Sequence, residues 1–324
     1  MDIVSEGISK MSINLTIIIP SYNDTDNLIR LLSRLAALRI SQQIIVVDDC
    51  SSPKINHQQL LDISGLEKSQ LQLLRNEFAR GAGAARNLAL ANITTSHLMF
   101  LDADDLPTRE LRALWHTLAN VETFDFCIFQ HHDTRMSQEG VWGQMPFDQQ
   151  FWKRANLEQG ALRRVSEPAA QLLVQSANYP WNKIYRTKFL TDYKINFSEI
   201  PVHNDILFHW RSFIKAHDIL SSDLVGVVHF VDPQGRRLTN QRGEERLQVF
   251  EPLERVANEL AAERSALSIP FYNFALGLMA WAHAMISIEF QPRFEAAGRK
   301  FFHRYVSPQV QKELDSELLV EWLR

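Results

Sequence analysis

The segment His97-Leu98-Met99-Phe100-Leu101-Asp102-Ala103-Asp104-Asp105-Leu106-Pro107 constrains this chain more than any other, because an apolar run passes directly into three carboxylates and a proline. A stretch that is apolar on both faces and stops at polar residues reads as a strand buried within a sheet. The carboxylates then stand at the strand's carboxyl end, where open α/β sheets bind their ligands. Asp102 and Asp104 alternate by two, so an extended backbone points both to one face. Carboxylates that close repel one another unless a cation bridges them, and hard divalent cations are held this way while shared with substrate phosphates. The plainer alternative is a helix start, with Asp105 or Thr108 capping a helix that begins near Pro107. That alternative explains one residue and leaves the other carboxylates without a role, so metal–phosphate binding is the favoured reading.

The same design occurs upstream. Leu15-Thr16-Ile17-Ile18-Ile19 reads as a buried strand ended by Pro20, with Ser21-Tyr22-Asn23-Asp24 as a turn. Gln43-Ile44-Ile45-Val46-Val47 reads as a second strand, ending in Asp48 and Asp49, and Leu71-Gln72-Leu73-Leu74 as a shorter third. Between them, Leu28, Leu31, Leu32, Leu35 and Leu38 recur at helical spacing. A small-residue helix over Ala82–Ala91 opens at Gly81-Ala82-Gly83, a further helix spans about Thr108–Ala119, and Phe124–Phe129 is another strand. This alternation predicts a mainly parallel sheet with helices on both faces. After residue 133 the rhythm breaks. Residues 136–165 read as loop with short helix, Tyr179–Arg186 as extended, Asn204–Ala216 as helix, Leu224–Val231 as strand, and everything from Gly243 onward as helical.

Composition excludes several classes. A net charge of −4 does not suit a dedicated polyanion binder, so no nucleic-acid partner is expected. Two cysteines, Cys50 and Cys127, are too few for a disulfide framework and fit a reducing compartment. Met1–Lys10 carries no signal-peptide pattern. The apolar segment Phe271–Phe290 contains Asn273, His283 and Glu289, which favours a buried helix over a membrane span.

In a parallel sheet the strand ends Pro20–Asn23, Asp48-Asp49 and Asp102–Asp104 converge on one edge and can form one site. An aromatic such as Tyr22 can stack on a flat ring, a carboxylate can accept from an imide N–H, and a metal-bound pair can hold a diphosphate. Together these parts describe a site for a nucleoside diphosphate. The competing readings are an ordinary sheet-edge role for Tyr22 and turn chemistry before Ser51-Ser52-Pro53 for Asp48 and Asp49. A dinucleotide fold is excluded by placement, since the turn after the first strand holds no glycine. Gly81-Ala82-Gly83 can equally serve a tight turn with close helix packing, and Arg86 either phosphates or a surface ion pair.

Four segments, Ile17-Ile18-Ile19-Pro20-Ser21-Tyr22-Asn23, Ile45-Val46-Val47-Asp48-Asp49-Cys50-Ser51-Ser52, Gly81-Ala82-Gly83-Ala84-Ala85-Arg86-Asn87 and Phe100-Leu101-Asp102-Ala103-Asp104-Asp105, follow in the order and spacing of the family 2 glycosyltransferases, which the chain resembles. Trp181-Asn182-Lys183-Ile184-Tyr185-Arg186 and Asn204-Asp205-Ile206-Leu207-Phe208 are further matches, the latter with Asn204 where the family usually has glutamate. The resemblance implies a GT-A fold, a Rossmann-like, mainly parallel sheet flanked by helices, and the helical pattern of the tail, which carries no family motif, adds a C-terminal helical subdomain. Together they divide the chain into a glycosyltransferase domain at 1–240 (nucleotide half 13–120, acceptor half 121–240) and a helical extension at 241–324. The resemblance implies inverting transfer from a nucleoside-diphosphate sugar, UDP first, to a hydroxyl of a glycan or lipid-linked acceptor in surface polysaccharide synthesis. By resemblance Asp205 is the catalytic base, Asp104 the principal ligand of Mn²⁺ or Mg²⁺, and Asp102 a metal or ribose contact. Pro20, Tyr22, Asp49, Arg86 and Ala103 fall on the nucleotide.

The acceptor half offers Trp181, Trp142 and Trp152, which either stack on sugars or pack in the core, and His229 as a further metal ligand or a structural histidine. Family members of this kind work at the cytoplasmic membrane face. Residues 290–324, with Arg293, Arg299, Lys300 and Arg304 near Phe294, Phe301 and Phe302, are therefore expected either to touch a membrane or partner, or to pack as a helical subdomain. The rival readings are a nucleotidyltransferase, a non-catalytic nucleotide-sugar-binding relic, and a scaffold whose tail recruits a complex.

Overall fold

Three consecutive isoleucines in the first strand set the layering. Successive side chains of a strand face opposite ways, and Ile17 and Ile19 join the hydrophobic cluster on one face of the sheet while Ile18 joins that on the other. The computed structural model describes residues 13–231, 241–263, 265–314 and 316–324. Its strands are β1 (Leu15–Ser21), β2 (Gln43–Asp48), β3 (Leu71–Arg75), β4 (His97–Phe100), β5 (Leu106–Pro107), β6 (Phe126–Asp133), β7 (Arg163–Arg164), β8 (Lys183–Arg186) and β9 (Ile219–His229). They form one sheet in the order β3-β2-β1-β4-β8-β6-β9-β5, with β7 attached to β9. The four strands β3, β2, β1 and β4 run parallel. β8 then enters antiparallel between β4 and β6, and β6 and β9 are parallel to each other. The sheet is thus mixed, its parallel half carrying the strand ends recognised in the sequence.

The helices are α1 (Thr25–Leu38), α2 (His57–Ser64), α3 (Ala82–Leu90), α4 (Arg109–Leu118), α5 (Thr134–Ser137), α6 (Pro146–Arg154), α7 (Glu167–Leu173), α8 (Thr187–Asp192), α9 (Ile206–Lys215), α10 (Phe250–Glu263), α11 (Ser268–Met285), α12 (Gln291–Tyr305), α13 (Pro308–Leu314) and α14 (Glu317–Leu323). The leucine stripe of α1 is buried throughout. Thr108, not Asp105, caps α4, its hydroxyl accepting from the amides of Glu110 and Leu111. Several strands exceed their expected bounds: β1 continues through Pro20 to Ser21, β2 takes in Asp48 and β3 takes in Arg75. β6 continues through Gln130, His131, His132 and Asp133, and β9 begins at Ile219 and passes through Ser221, Ser222 and Asp223. Tyr179–Arg186 is extended only from Lys183, after a 3₁₀ turn at Pro180–Asn182.

The C-terminal helices pack against α9, whose Trp210 ring meets Phe271 and Phe274 of α11. Phe294, Phe301 and Phe302 of α12 are buried in the same cluster as the sheet's underside. Arg293 pairs with Glu244 at 2.7 Å and Arg299 with Glu295 at 3.8 Å, so the apolar stripe faces inward and these basic residues meet acids of the chain itself. No helix among the described residues is long and apolar enough to cross a membrane.

The glycines before α3 have distinct tasks. Gly81 has φ +87°, a left-handed conformation that glycine adopts without the Cβ penalty. At Gly83 a Cβ would lie 2.2 Å from the carbonyl oxygen of Ser198 and 3.0 Å from Cβ of Asn204. The helix therefore rests directly on the chain that leads into α9. Gly83→Ala adds helix propensity of about 1 kcal/mol but overpacks a backbone contact, at about 1–3 kcal/mol. A net fall in thermal midpoint is expected on calorimetry, and a stabilised variant would show that the approach is loose.

Candidate active site

The loops after β1 and β2 are stapled together. Asn23, itself left-handed at φ +52°, donates its amide to Ser51 Oγ at 2.9 Å, and its side-chain oxygen accepts from the amide of Ser52 at 2.8 Å. This leaves Tyr22 standing out at the sheet edge, 52% exposed. Pro20 lies inside β1 opposite Val47, and the buried hydroxyl of Ser21 has no hydrogen-bond partner among the described residues. Asp48 is consumed by structure: its carboxylate accepts from the amide of Ser51 at 2.7 Å and pairs with Arg75. Asp49 is also engaged, accepting from Asn76 Nδ2 at 2.6 Å and from the amides of Arg80 at 2.9 Å and Gly81 at 2.7 Å. A carboxylate has about four acceptor sites. Asp49 thus draws the loop before α3 onto β2 and keeps about one site for anything else.

The acidic segment is a turn, not the extended strand expected. β4 ends at Phe100, and the amide of Asp105 closes onto the carbonyl of Asp102 at 3.1 Å. Even so, Asp102 and Asp104 are both half-buried, while Ala103 and Asp105 are buried. Burial pushes the Asp105 carboxyl up in pKa, against the pull of His229. Its oxygens lie 3.1 Å from His229 Nδ1 and accept from the amide of Phe230 at 3.0 Å. His229 is therefore fixed to Asp105 and stacks on Trp181, with centroids 5.0 Å apart.

Arg86 is not a surface residue: it is 5% exposed. Its Nη2 donates to Asp102 at 2.6 Å, its Nη1 to the side-chain oxygen of Asn204 at 3.0 Å, and its guanidinium lies 5.1 Å over the Phe197 ring. One cation thus joins the acidic turn of the parallel half to the segment entering α9. Asp205 occupies the N-cap position of α9, yet its side chain makes no capping hydrogen bond. Helix capping therefore does not account for the carboxylate. Burial raises its pKa to about 6, with the charge of Arg86 working in the opposite direction. Lys183, fully buried beneath, donates to the Tyr179 carbonyl at 2.8 Å and to Asn182 Oδ1 at 2.7 Å. Burial lowers its pKa to about 7, and the nearby Asp205 and Asp148 oppose that.

A model of glycosyl transferase family 2 matches residues 16–188, more than half of the chain. The chain belongs to glycosyl transferase family 2. Over 215 residues it is 28% identical to the poly(ribitol-phosphate) beta-N-acetylglucosaminyltransferase TarS of Staphylococcus aureus, covering 63% of this chain and 33% of that protein. It is 36% identical over 92 residues, 28% of this chain and 35% of that protein, to the UDP-Glc:alpha-D-GlcNAc-diphosphoundecaprenol beta-1,3-glucosyltransferase WfgD of Escherichia coli. The matches to these relatives thus span about a third of their length. The crystal structure of Staphylococcus aureus TarS 1–349 in complex with UDP-GlcNAc superposes with a TM-score of 0.76 at 20% identity, over 96% of this chain and 86% of that one. The fold is therefore GT-A.

The donor set of this family 2 chain for a metal is sparse. No group of three or more His, Cys, Asp or Glu that could hold a metal ion occurs among the described residues. Asp102 and Asp104 offer half-buried oxygens, whereas Asp105 and His229 are spent on each other. Such a pair fits a divalent cation only where a substrate diphosphate and water complete the shell, which is how Mg²⁺ is commonly held.

The aromatic residues separate sharply. Trp181 is 1% exposed, sandwiched between Tyr179 and His229 at centroid distances of 4.4 and 5.0 Å, and edge-on to His131. As placed, its faces are covered by other rings, so an acceptor contact through Trp181 is corrected to a packing role beneath the site. Trp152 is likewise in the core, fully buried on α6. Trp142 differs, being 60% exposed and stacked on His132 at the end of β6 with centroids 3.9 Å apart. Two side chains prominent here escaped the sequence reading, Asn76 and Lys183. Trp142→Ala is expected to leave the melting temperature unchanged and raise the KM for acceptor, whereas Trp152→Ala should cost about 3–5 kcal/mol of stability. Equal melting curves for the two variants would contradict this division.

Proposed function

We propose that this chain moves a sugar, with inversion, from a nucleoside-diphosphate sugar to a hydroxyl of a glycan or lipid-linked acceptor, as in the assembly of a surface polysaccharide. The observation that carries the reading is the carboxyl group of Asp205, half-buried, unspent on capping and electrostatically coupled to Arg86 and Asp102. An attacking hydroxyl loses its proton as it bonds to the anomeric carbon, and a positioned carboxylate takes that proton. The bond from the anomeric carbon to the diphosphate oxygen breaks on the opposite face, and the nucleoside diphosphate departs with that electron pair. Tyr22, exposed at the sheet edge, suits a flat base, and the remaining acceptor site of Asp49 suits an imide N–H, which together favour uracil. The UDP-sugar named for the TarS complex and for WfgD supports the same donor class.

Asp104 and Asp102 would hold Mn²⁺ or Mg²⁺, which as a Lewis acid would stabilise charge on the departing diphosphate. Arg86 donates to Asp102 and so holds that carboxylate in place. Asp104→Ala is expected to abolish the manganese-dependent part of UDP affinity in calorimetry while leaving the fold intact. Metal dependence that survives in the variant would remove Asp104 from the site.

The base makes the sharper test. A group whose folded pKa is raised to about 6 is protonated, and so inactive as a base, below that pH. Turnover efficiency, kcat/KM, is therefore expected to rise with pH on an acid limb centred near 6, because this ratio reports the free enzyme. Asp205→Asn should bind donor normally, melt near the wild-type temperature and transfer sugar at least about a hundredfold more slowly. Near-normal transfer would leave Asp205 with a structural role only.

A further inference from the structure

The segment that delivers Asp205 is gripped from two sides, and only one of them was visible in the motifs. From the nucleotide half, α3 holds it: Gly83 abuts Ser198, Asn87 exchanges hydrogen bonds with the backbone of Phe197 at 2.9 and 3.0 Å, and Arg86 holds Asn204. From the C-terminal half, Ser198 Oγ donates to Glu251 of α10 at 3.0 Å. A further contact is Arg246, in the 3₁₀ turn before α10. Arg246 is 0% exposed. Its Nε donates to the Gln241 carbonyl at 2.6 Å, its Nη1 lies 3.4 Å from Nε2 of His203, and its guanidinium sits 4.7 Å over the ring of Trp281 on α11. Trp281 in turn meets His203 edge to face at 5.9 Å and 88°.

His203 is two residues before Asp205 and has φ +63°, a left-handed conformation in a residue with a Cβ. Such a residue is strained and persists only where its surroundings over-determine it. Burial and the charge of Arg246 lower the His203 pKa to about 3, so the ring is neutral and Nε2 is able to accept from the guanidinium. The carbonyl of His203 then closes the turn by accepting from the amide of Ile206, the first residue of α9, at 3.5 Å.

We propose that Arg246 is a positioning residue for transfer: by clamping the left-handed His203 against Trp281, it fixes the turn that aims Asp205, so the C-terminal helices complete the active site. This rests on Asp205 being the base for its kinetic consequence, though the grip itself does not. Displacing a catalytic group by about 1 Å can cost as much as a hundredfold in rate.

The test uses the full chain. Arg246→Met keeps much of the stem and removes the guanidinium, and Trp281→Leu removes the ring from a half-exposed position with less risk to folding. Hydrogen exchange is expected to quicken in residues 197–206 of both variants and stay unchanged in β1–β4. UDP affinity should match wild type, and UDP release from UDP-N-acetylglucosamine should slow by roughly 10–100-fold. Arg246→Lys, which keeps the charge on a shorter reach, should recover part of the rate. In an Asp205→Asn background Arg246→Met should slow nothing further. Unchanged exchange in residues 197–206 of both variants overturns the inference whatever Asp205 does. Exchange that rises across the whole sheet together with lost UDP affinity also overturns it, showing Arg246 to be merely structural. Local quickening together with a fully active Asp205→Asn keeps the grip and removes the base assignment instead.

Discussion

A single buried guanidinium ties the two halves of this molecule together. Arg86 sits on a helix of the parallel half, reaches forward to Asp102 in the acidic turn and sideways to Asn204 at the mouth of α9. A buried cation deprived of its charged partner is destabilising. The fold therefore cannot place α3 without also placing the acidic turn, and the segment before Asp205 settles against the same group. The short axis from Asp102 through Arg86 to Asn204 is the frame on which donor and acceptor chemistry would have to meet.

The glycine at 83 makes that reach possible. With no Cβ, α3 lies against the Ser198 carbonyl, and the side chains of Arg86 and Asn87 on the same helix then come within bonding distance of residues 197–204. The motif read in the sequence as a tight turn with close helix packing does pack closely, Gly83 against the Ser198 carbonyl. Its contribution to the site is indirect: it sets how near one half of the sheet stands to the other. The same economy appears at Asp49, whose carboxylate gathers the loop from Asn76 to Gly81 and so fixes where α3 starts.

What was legible in the sequence follows from burial. Strands β1, β2 and β4 are covered on both faces, so they read as largely apolar runs, although β1 continues through the expected stop at Pro20 to Ser21. The same rule failed where buried strands carry polar side chains. Gln130, His131, His132 and Asp133 continue β6 because local partners satisfy several of them: His132 lies 2.7 Å from Ser137 Oγ, and Asp133 accepts from the amide and guanidinium of Arg135. No periodicity announces such partners. The acidic segment was placed correctly at a strand end but given the wrong backbone, since alternation presumes extension and Asp102–Asp105 turns back on itself. Trp181 was open between sugar stacking and packing for a related reason: Tyr179 lies two residues before it, but His229 is brought in by β9, and only together do their rings close over both of its faces. The contacts of the C-terminal helices with residues 198 and 203 had no sequence signal at all, because they depend on how α10 and α11 lie against α9.

Asn204 shows how this chain balances the charge it gathers. A glutamate at that position would add a second carboxylate beside Asp205 and compete with Asp102 for Arg86. Like charge close by raises a carboxyl pKa further, and burial, even against the charge of Arg86, already carries Asp205 to about 6. The neutral amide still accepts from Arg86, so the bridge survives without the added repulsion. The positive field of Arg86 is then left to Asp102 and Asp205, and it is this field that restrains the upward shift caused by burial. A carboxyl near 6 is ionised at neutral pH yet remains a far stronger proton acceptor than an exposed aspartate, the compromise that general-base chemistry requires. The substitution that departs from the family pattern is thus compatible with a working base, and it makes Arg86 the residue on which the protonation state of Asp205 most directly depends.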